Sequence, residues 1–108
     1  MGETERRYLV LIQLGRSEAD IDRIQEAVPG IQQTLDDISN GDCQFAFASH
    51  DGSTFGFLLR SRMDAHDIRV MLETNQSMRN GDSILVLEAG RHFSGTGFSR
   101  AGAWLQHH

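Results

Sequence analysis

The sequence predicts a single α+β domain built around a four-stranded antiparallel sheet. The chain has 108 residues, a length that suits one domain. Apolar runs typical of strands alternate with apolar residues at helical spacing, in the order strand, helix, strand, strand, helix, strand. The two middle strands flank an Asp-Gly pair, which is typical of the tight turn of a hairpin. Together these observations predict one sheet with two connecting helices.

The first strand and the first helix are marked by their apolar residues. RYLVLIQL, residues 7–14, is apolar almost throughout, so we expect a central strand with both faces buried. Ser17 is a suitable N-cap, with Asp20 completing an imperfect capping box, for a helix that runs to about Val28. Pro29-Gly30 then predicts a break, after which a second short helical piece begins.

The next two strands, CQFAFAS and STFGFLLRS, are predicted to form a hairpin. A three-residue loop, residues 50–52, pairs Phe47 with Phe55 and Phe45 with Phe57, and gives the glycine of the Asp-Gly pair a left-handed conformation. Side-chain alternation then fixes the two faces. One predicted face carries large residues: Phe45, Phe47, Phe55, Phe57 and Leu59. The other carries smaller apolar residues: Ala46, Ala48, Gly56 and Leu58.

A second helix and a fourth strand complete the predicted domain. MDAHDIRVMLETN predicts a helix with Asp64 as its N-cap, and SILVLEA predicts a strand. The simplest βαββαβ solution is the ferredoxin-like fold, with both helices on one face of the sheet. We assign residues 1–89 to this domain. Residues 90–108 are predicted to be a glycine-rich C-terminal arm or short fifth strand packed on its own or a partner's sheet, because a free tail rarely carries so many aromatic residues.

Two helices leave one face of such a sheet uncovered, and here that face is apolar whichever side the helices take. Exposed apolar patches usually mark interaction sites. We therefore expect a homodimer that buries sheet against sheet. The alternatives are a heterologous protein partner and coverage by the arm within one chain. The residues predicted to form the interface are Val10, Ile12, Phe45, Phe47, Phe55, Phe57, Phe98 and Trp104.

The stretch TFGFLL raises an alternative function. Phe55, Gly56, Phe57 and Leu58 resemble the core of the first ribonucleoprotein motif of RNA-recognition domains, which lies on the third strand of a βαββαβ fold. The resemblance implies an RNA- or single-stranded-DNA-binding module in which Phe55 and Phe57 stack on bases. The chain departs from the motif where Arg60 replaces its last aromatic residue, and where serine and threonine replace the basic residue and glycine that begin it.

The segment GRHFSGTGFSR is a candidate loop for an anion or small ligand, because flexible glycines can present backbone N–H groups beside cationic side chains. The residues predicted for it are Arg91, His92, Gly95, Gly97 and Arg100. A linker to the arm is the simpler reading. The alternatives of a small-ligand regulatory domain and of a dimeric α+β-barrel enzyme using His92 or His66 stay open. No histidine pair has the spacing of a helical metal site, and no catalytic triad is recognisable.

Composition narrows the partners and the setting. The net charge of −5 disfavours nucleic acid and anionic membranes, and no apolar run is long enough to span a bilayer. Cys43 is the only cysteine, which excludes an intramolecular disulfide and a multi-cysteine zinc site. The sequence thus predicts a small cytoplasmic protein-interaction or regulatory adaptor that homodimerises through its sheet face and C-terminal arm, without a catalytic centre, metal or cofactor.

Overall fold

The computed structural model describes residues 5–15, 21–90, 94, 96, 97 and 99–108. It confirms an α+β fold with a four-stranded antiparallel sheet, in the strand order β2-β3-β1-β4. Two helices pack on one face of the sheet and a third packs on the other. The elements are β1 (Arg6–Gln13), α1 (Ile21–Ser39), β2 (Cys43–Ala48), β3 (Thr54–Ser61), α2 (Ala65–Glu73), β4 (Ser83–Glu88) and α3 (Ser99–His107).

The main core lies between the sheet and the helices α1 and α2. The central strands β1 and β3 supply its largest side chains, which alternate along each strand as the pleat requires. Two aromatic pairs lie edge-to-face, Phe45 with Phe57 and Phe55 with Phe57, at ring-centroid distances of 5.3 Å and 5.9 Å. The fully buried residues of this core are Tyr8, Val10, Ile12, Leu14, Ala27, Ile31, Leu35, Phe55, Phe57, Leu59, Ile68 and Leu72.

The first helix is continuous through Pro29, so the predicted break is wrong. A proline in a helix interior costs about 3 kcal/mol. The buried stripe nevertheless continues past it, because Ile31 and Leu35 follow Ala27 at intervals of four residues and face the sheet. Burying each of these large side chains stabilises the fold by about 1.5–3 kcal/mol, which outweighs the proline. The predicted N-cap at Ser17 lies outside the described residues.

The hairpin between β2 and β3 contains a bulge that the alternation of side chains did not predict. Phe45 lies opposite Phe57 as predicted, but the register then shifts, so that Phe47 lies opposite Gly56 instead of Phe55. The extra residue in β2 turns Phe47 to the second face of the sheet. The turn is correspondingly longer than predicted, because the Ser49 N–H donates to the Thr54 carbonyl at 2.7 Å. Its glycine has the predicted left-handed conformation, with φ of 78°.

The C-terminal residues 99–107 form a helix where the sequence predicted an arm or a short fifth strand. Ala101, Trp104 and Leu105 are spaced three and four residues apart, which gives an isolated helix one apolar stripe. The stripe packs on the second face of the chain's own sheet. The second helix begins as predicted, because the Asp64 carboxylate accepts a hydrogen bond from the Asp67 N–H at 2.8 Å.

A buried ion pair joins α1 to the turn before β4. Arg23 and Asp82 form a two-pronged contact, and their side chains are only 4% and 1% exposed. The Asp82 carboxylate also accepts hydrogen bonds from the backbone N–H groups of Gly15 and Arg79, each at 2.8 Å. Burial alone would raise the pKa of the Asp82 carboxyl, but these hydrogen bonds and the Arg23 charge outweigh it and lower that pKa. The pair thus holds three chain segments together.

Candidate interaction surface

The second face of the sheet, away from α1 and α2, is only partly covered. The helix α3 packs over its β2 and β3 half, where Trp104 joins Leu58 and Ala46 in a second buried cluster. Phe47 packs against this cluster, and its ring lies directly over Gly56. A Cβ atom at position 56 would approach Phe47 Cε1 to 2.5 Å, so only glycine fits beneath the ring. The small residues of the hairpin therefore make room for an aromatic layer.

Polar contacts fix the C-terminal end of α3. The Arg7 guanidinium donates to the Leu105 carbonyl at 3.0 Å and also to the Gly90 carbonyl. The His108 ring stacks on Trp104 at 4.1 Å, and its two nitrogens lie 2.8 Å from the Trp104 carbonyl and 2.8 Å from Asp42 Oδ1. These contacts tie α3 to the beginnings of β1 and β2, so α3 is a cover with a defined position.

The other half of this face presents four leucines, which we call the leucine strip: Leu9, Leu11, Leu85 and Leu87. Leu9 lies opposite Leu87, and Leu11 lies opposite Leu85, so the four side chains form a block across β1 and β4. Leu85 is 50% exposed and Leu87 is 47% exposed. A half-exposed leucine alone is ordinary, but a contiguous block on a flat sheet face is an apolar patch of the kind that binds partners.

Most residues predicted for the interface lie elsewhere. Val10, Ile12, Phe55 and Phe57 are fully buried beneath α1 and α2. These four side chains have no surface left for a partner, and the two phenylalanines have none on which a base could stack. Phe45 is half-buried against the same core.

The remaining predicted interface residues belong to the other face or lie outside the described chain. Phe47 and Trp104 are on the face that holds the leucine strip, but both are packed in the single cluster that α3 forms with the sheet. Phe98 lies outside the described residues. The second face is apolar, and the leucines exposed on it are Leu85 and Leu87 of β4, which the predicted interface did not include.

Two of the five residues predicted to form the ligand loop are among the described residues. Gly97 has a left-handed backbone with φ of 83°, and Arg100 is exposed in the first turn of α3. Arg91, His92 and Gly95 lie outside the described residues. His66, the other histidine considered for catalysis, is exposed on α2 near Arg69.

A cleft of about 630 Å³ opens at the end of the sheet where α3 finishes. Three arginines and two glutamates line it together with His108: Glu5, Arg6, Arg7, Arg60 and Glu88. Arg7 is engaged by the carbonyls at the end of α3, and Arg60 Nε lies 3.1 Å from Asp42 Oδ2. Arg60 is paired with carboxylates and Arg7 is bound by carbonyls, so these side chains of the cleft serve to hold the C-terminal end of α3.

Chemically reactive groups are not gathered at one place in the described chain. Burial raises the pKa of the Cys43 thiol to about 12, with the nearby Asp36 and Asp42 carboxylates adding to the shift, so the thiol stays protonated. Among the described residues, no group of three His, Cys, Asp or Glu side chains is placed to hold a metal ion. None of the helices in the described ranges is long and apolar enough to cross a membrane.

Sequence reasoning missed the leucine strip because SILVLE is apolar at every position but its ends. Such a run does not say which residues face the helices. A usable signal lies in the first strand, whose central residues are apolar on both sides, as are those of its partner β4. Two adjacent strands with apolar residues on both faces predict a patch on whichever face the helices leave.

No protein-family model, curated protein or solved structure matches this chain. Function is therefore inferred from the geometry of its surface.

Proposed function

We propose that this chain is a non-catalytic interaction module that binds a second copy of itself through the leucine strip. The observation that supports it is the half-exposed pair Leu85 and Leu87, which extends the apolar block of β1 to the edge of the sheet. The helix α3 covers the neighbouring half of the same face, with Leu9 packed against its cluster, and leaves Leu85 and Leu87 half-exposed. Because α3 and the leucine strip lie side by side, α3 forms one border of the surface that a partner would contact.

A finer description of the fold accompanies this proposal. The ferredoxin-like arrangement stays a prediction, and two features support it: the central position of β1 and β3, and the packing of α1 and α2 on one face. A regulatory role and a cytoplasmic setting also stay predictions. In this proposal α3 replaces the predicted C-terminal arm, because it packs on the same face beside the leucine strip.

The energy of the strip sets the expected strength of association. Burying an exposed leucine completely stabilises by about 1.5–3 kcal/mol, so each half-exposed one contributes about 1 kcal/mol. Leu85 and Leu87 from two copies then supply at most roughly 4 kcal/mol, about half of what a micromolar complex needs. The leucines therefore determine where the interface lies, and other contacts must supply the rest of the binding free energy.

Sedimentation equilibrium of the purified chain, from about 5 µM to about 500 µM, tests the proposal. We expect the mass to rise with concentration from monomer to dimer. Leu87→Lys should weaken association by at least about tenfold, because it replaces an apolar contact between the two copies with a charged side chain. Val70→Lys is the matched control: Val70 is 38% exposed on α2, on the side opposite the buried Ile68 and Leu72.

Two results would contradict the proposal. One is a wild-type chain that stays monomeric at the highest concentration. The other is equal weakening by Leu87→Lys and Val70→Lys, since a general effect of an added charge would then explain the loss. Far-ultraviolet circular dichroism of both variants shows that the fold is retained.

A further inference from the structure

We propose that the second copy joins edge to edge: its β4 pairs antiparallel with β4, centred on Val86, and the two sheets become one. This inference rests on the proposed self-association and specifies its geometry. It predicts which backbone groups bond across the twofold axis and which leucines meet. It arises from three observations, namely the contrast between the two sheet edges, the direction of the β4 backbone groups, and the symmetry of the strand about Val86.

The two edges of the sheet differ in how they are protected. Proteins guard exposed edge strands with bulges, charges, prolines or covering elements. The β2 edge has such protection, because a bulge interrupts its ladder between Phe45 and Phe47 and α3 packs against the strand. The β4 strand pairs regularly with β1 from Ser83 to Glu88 and contacts α2 on its core face. Its sequence, SILVLE, contains no proline, glycine, lysine or arginine, and its one charge is at its end.

Hydrogen bonds at the ends of the ladder show which residues of β4 point outward. The Ala89 N–H donates to the Arg7 carbonyl at 2.7 Å, so odd-numbered residues at this end of β4 face β1. The Leu14 N–H donates to Ser53 on the other neighbour of β1 at 2.8 Å, which agrees with the same alternation. The N–H and C=O groups of Ile84, Val86 and Glu88 therefore point away from the sheet. Within the described part of the chain, no hydrogen bond reaches them.

These outward residues are arranged symmetrically, which makes β4 complementary to itself. With Val86 opposite its own copy, Ile84 lies opposite Glu88 of the second copy, and all three outward residues bond in pairs. Leu85 then lies opposite Leu87 of the second copy, in a non-hydrogen-bonded position where side chains approach most closely. The half-exposed leucines of both copies meet on one face.

The register centred on Leu85 is less favourable. It places Ile84 opposite Val86 of the second copy and leaves Leu87 opposite Ser83. It also requires Asp82, whose N–H already donates to the Arg79 carbonyl at 3.2 Å. The register centred on Val86 uses only strand residues and pairs every half-exposed leucine with another.

The size of this contact predicts a dimer that dissociates on dilution. A six-residue strand is about 20 Å long. Pairing at such an edge covers less than the roughly 800 Å² per partner of a standard stable interface. Association is therefore expected in the micromolar range, where subunits exchange readily.

Mixed disulfide cross-linking tests the register. In a Cys43→Ala background, Leu85→Cys and Leu87→Cys are made as separate proteins and mixed before mild oxidation. We expect a covalent dimer in the mixture and at least about tenfold less in either protein alone, because only residues 85 and 87 face each other. Leu85→Cys cross-linking mainly with itself would overturn the register. If the wild-type chain dimerises but neither the mixture nor the single variants cross-link, edge pairing fails while the proposed function stands. If the wild-type chain does not dimerise, both fail.

Amide hydrogen exchange of the unaltered chain provides a second measurement that does not depend on the variants. Raising the concentration through the association range should slow exchange at Ile84, Val86 and Glu88 by about tenfold when nine-tenths of the chains are paired. Leu85 and Leu87 donate to β1 in both states, so their exchange should change much less. Protection that does not alternate along β4, in a chain that dimerises, would overturn edge pairing.

Discussion

The buried pair between Arg23 and Asp82 yields the sharpest stability prediction. Replacing Asp82 by asparagine keeps the size of the side chain but removes its charge. The Arg23 guanidinium, only 4% exposed, then loses the charge of Asp82. The asparagine amide can also no longer accept from both the Gly15 and Arg79 N–H groups while accepting from Arg23. The variant therefore places an amide NH₂ group where a carboxylate oxygen accepted hydrogen bonds.

Breaking one side of a buried ion pair costs about 3–5 kcal/mol, and Asp82→Asn should lie at the lower end because one oxygen remains. Since small domains have a total stability of about 5–15 kcal/mol, this is a large share. At about 5 °C per kcal/mol for a domain of this size, Tm should fall by about 15 °C. Urea unfolding followed by circular dichroism measures the free energy of unfolding, and a thermal scan measures Tm.

The exposed pair between Arg69 and Glu73 supplies the matched control. Its side chains are 38% and 50% exposed, so Glu73→Gln, the same acid-to-amide change, should cost no more than about 0.5 kcal/mol. A loss below about 1 kcal/mol for Asp82→Asn, or equal losses for the two variants, would refute the reasoning. Adding Arg23→Met to Asp82→Asn should recover part of the loss, because an apolar side chain then replaces a buried guanidinium that no longer faces the Asp82 charge.

Acid sensitivity follows from the same carboxylate. Because folding lowers the pKa of Asp82, its contribution to stability is present above the unfolded pKa of about 3.9 and is lost as pH falls through the lower folded value. Asp82→Asn should therefore show a shallower loss of stability below about pH 4 than the wild-type chain. Asp51 adds acid sensitivity to both proteins, because hydrogen bonds from Ser53 and Ser49 lower its pKa to about 2.

Two further predictions concern packing and reactivity. Gly56→Ala should lower the free energy of unfolding in urea by about 1–3 kcal/mol, because the added methyl group meets Phe47. Gly102→Ala, with open space around it in α3, should raise that free energy by up to about 1 kcal/mol. Equal effects of the two variants would contradict the packing of Phe47 over Gly56. The Cys43 thiol, with a pKa of about 12, should react with a disulfide reagent at pH 8 at least about tenfold more slowly in the folded chain than in urea, and rapid labelling of the native protein would contradict its burial.

The sequence was sufficient for the order of the elements from β1 to β4, because their apolar periods are local and strong. It failed at Pro29 and in β2, where tertiary packing decides. The stripe of α1 passes Pro29 because burial of Ile31 and Leu35 exceeds the cost of one proline. The bulge beyond Phe45 reverses the facing of Phe47, and nothing in the alternation of CQFAFAS announces an extra residue.

The apolar character of the second sheet face was predictable, but the residues exposed on it were not. The sequence shows that both faces of the sheet are apolar, yet which face meets the helices depends on three-dimensional packing. The helices cover Phe55 and Phe57, so the surface that remains belongs to Leu85 and Leu87. The helical state of residues 99–107 was missed because nine residues are too few to form a stable helix alone, and α3 depends on its contact with the sheet.

The position of Trp104 gives the molecule a built-in optical probe. It is the only tryptophan of the chain, it is 7% exposed between α3 and the sheet, and His108 stacks on it. Its fluorescence therefore reports on one contact, the packing of α3 on the β2 and β3 half of the second face. The emission wavelength would shift when α3 detaches from the sheet and water reaches the indole. Strand pairing at β4 would leave the emission nearly unchanged. Two events on one sheet can thus be followed separately without attaching a dye.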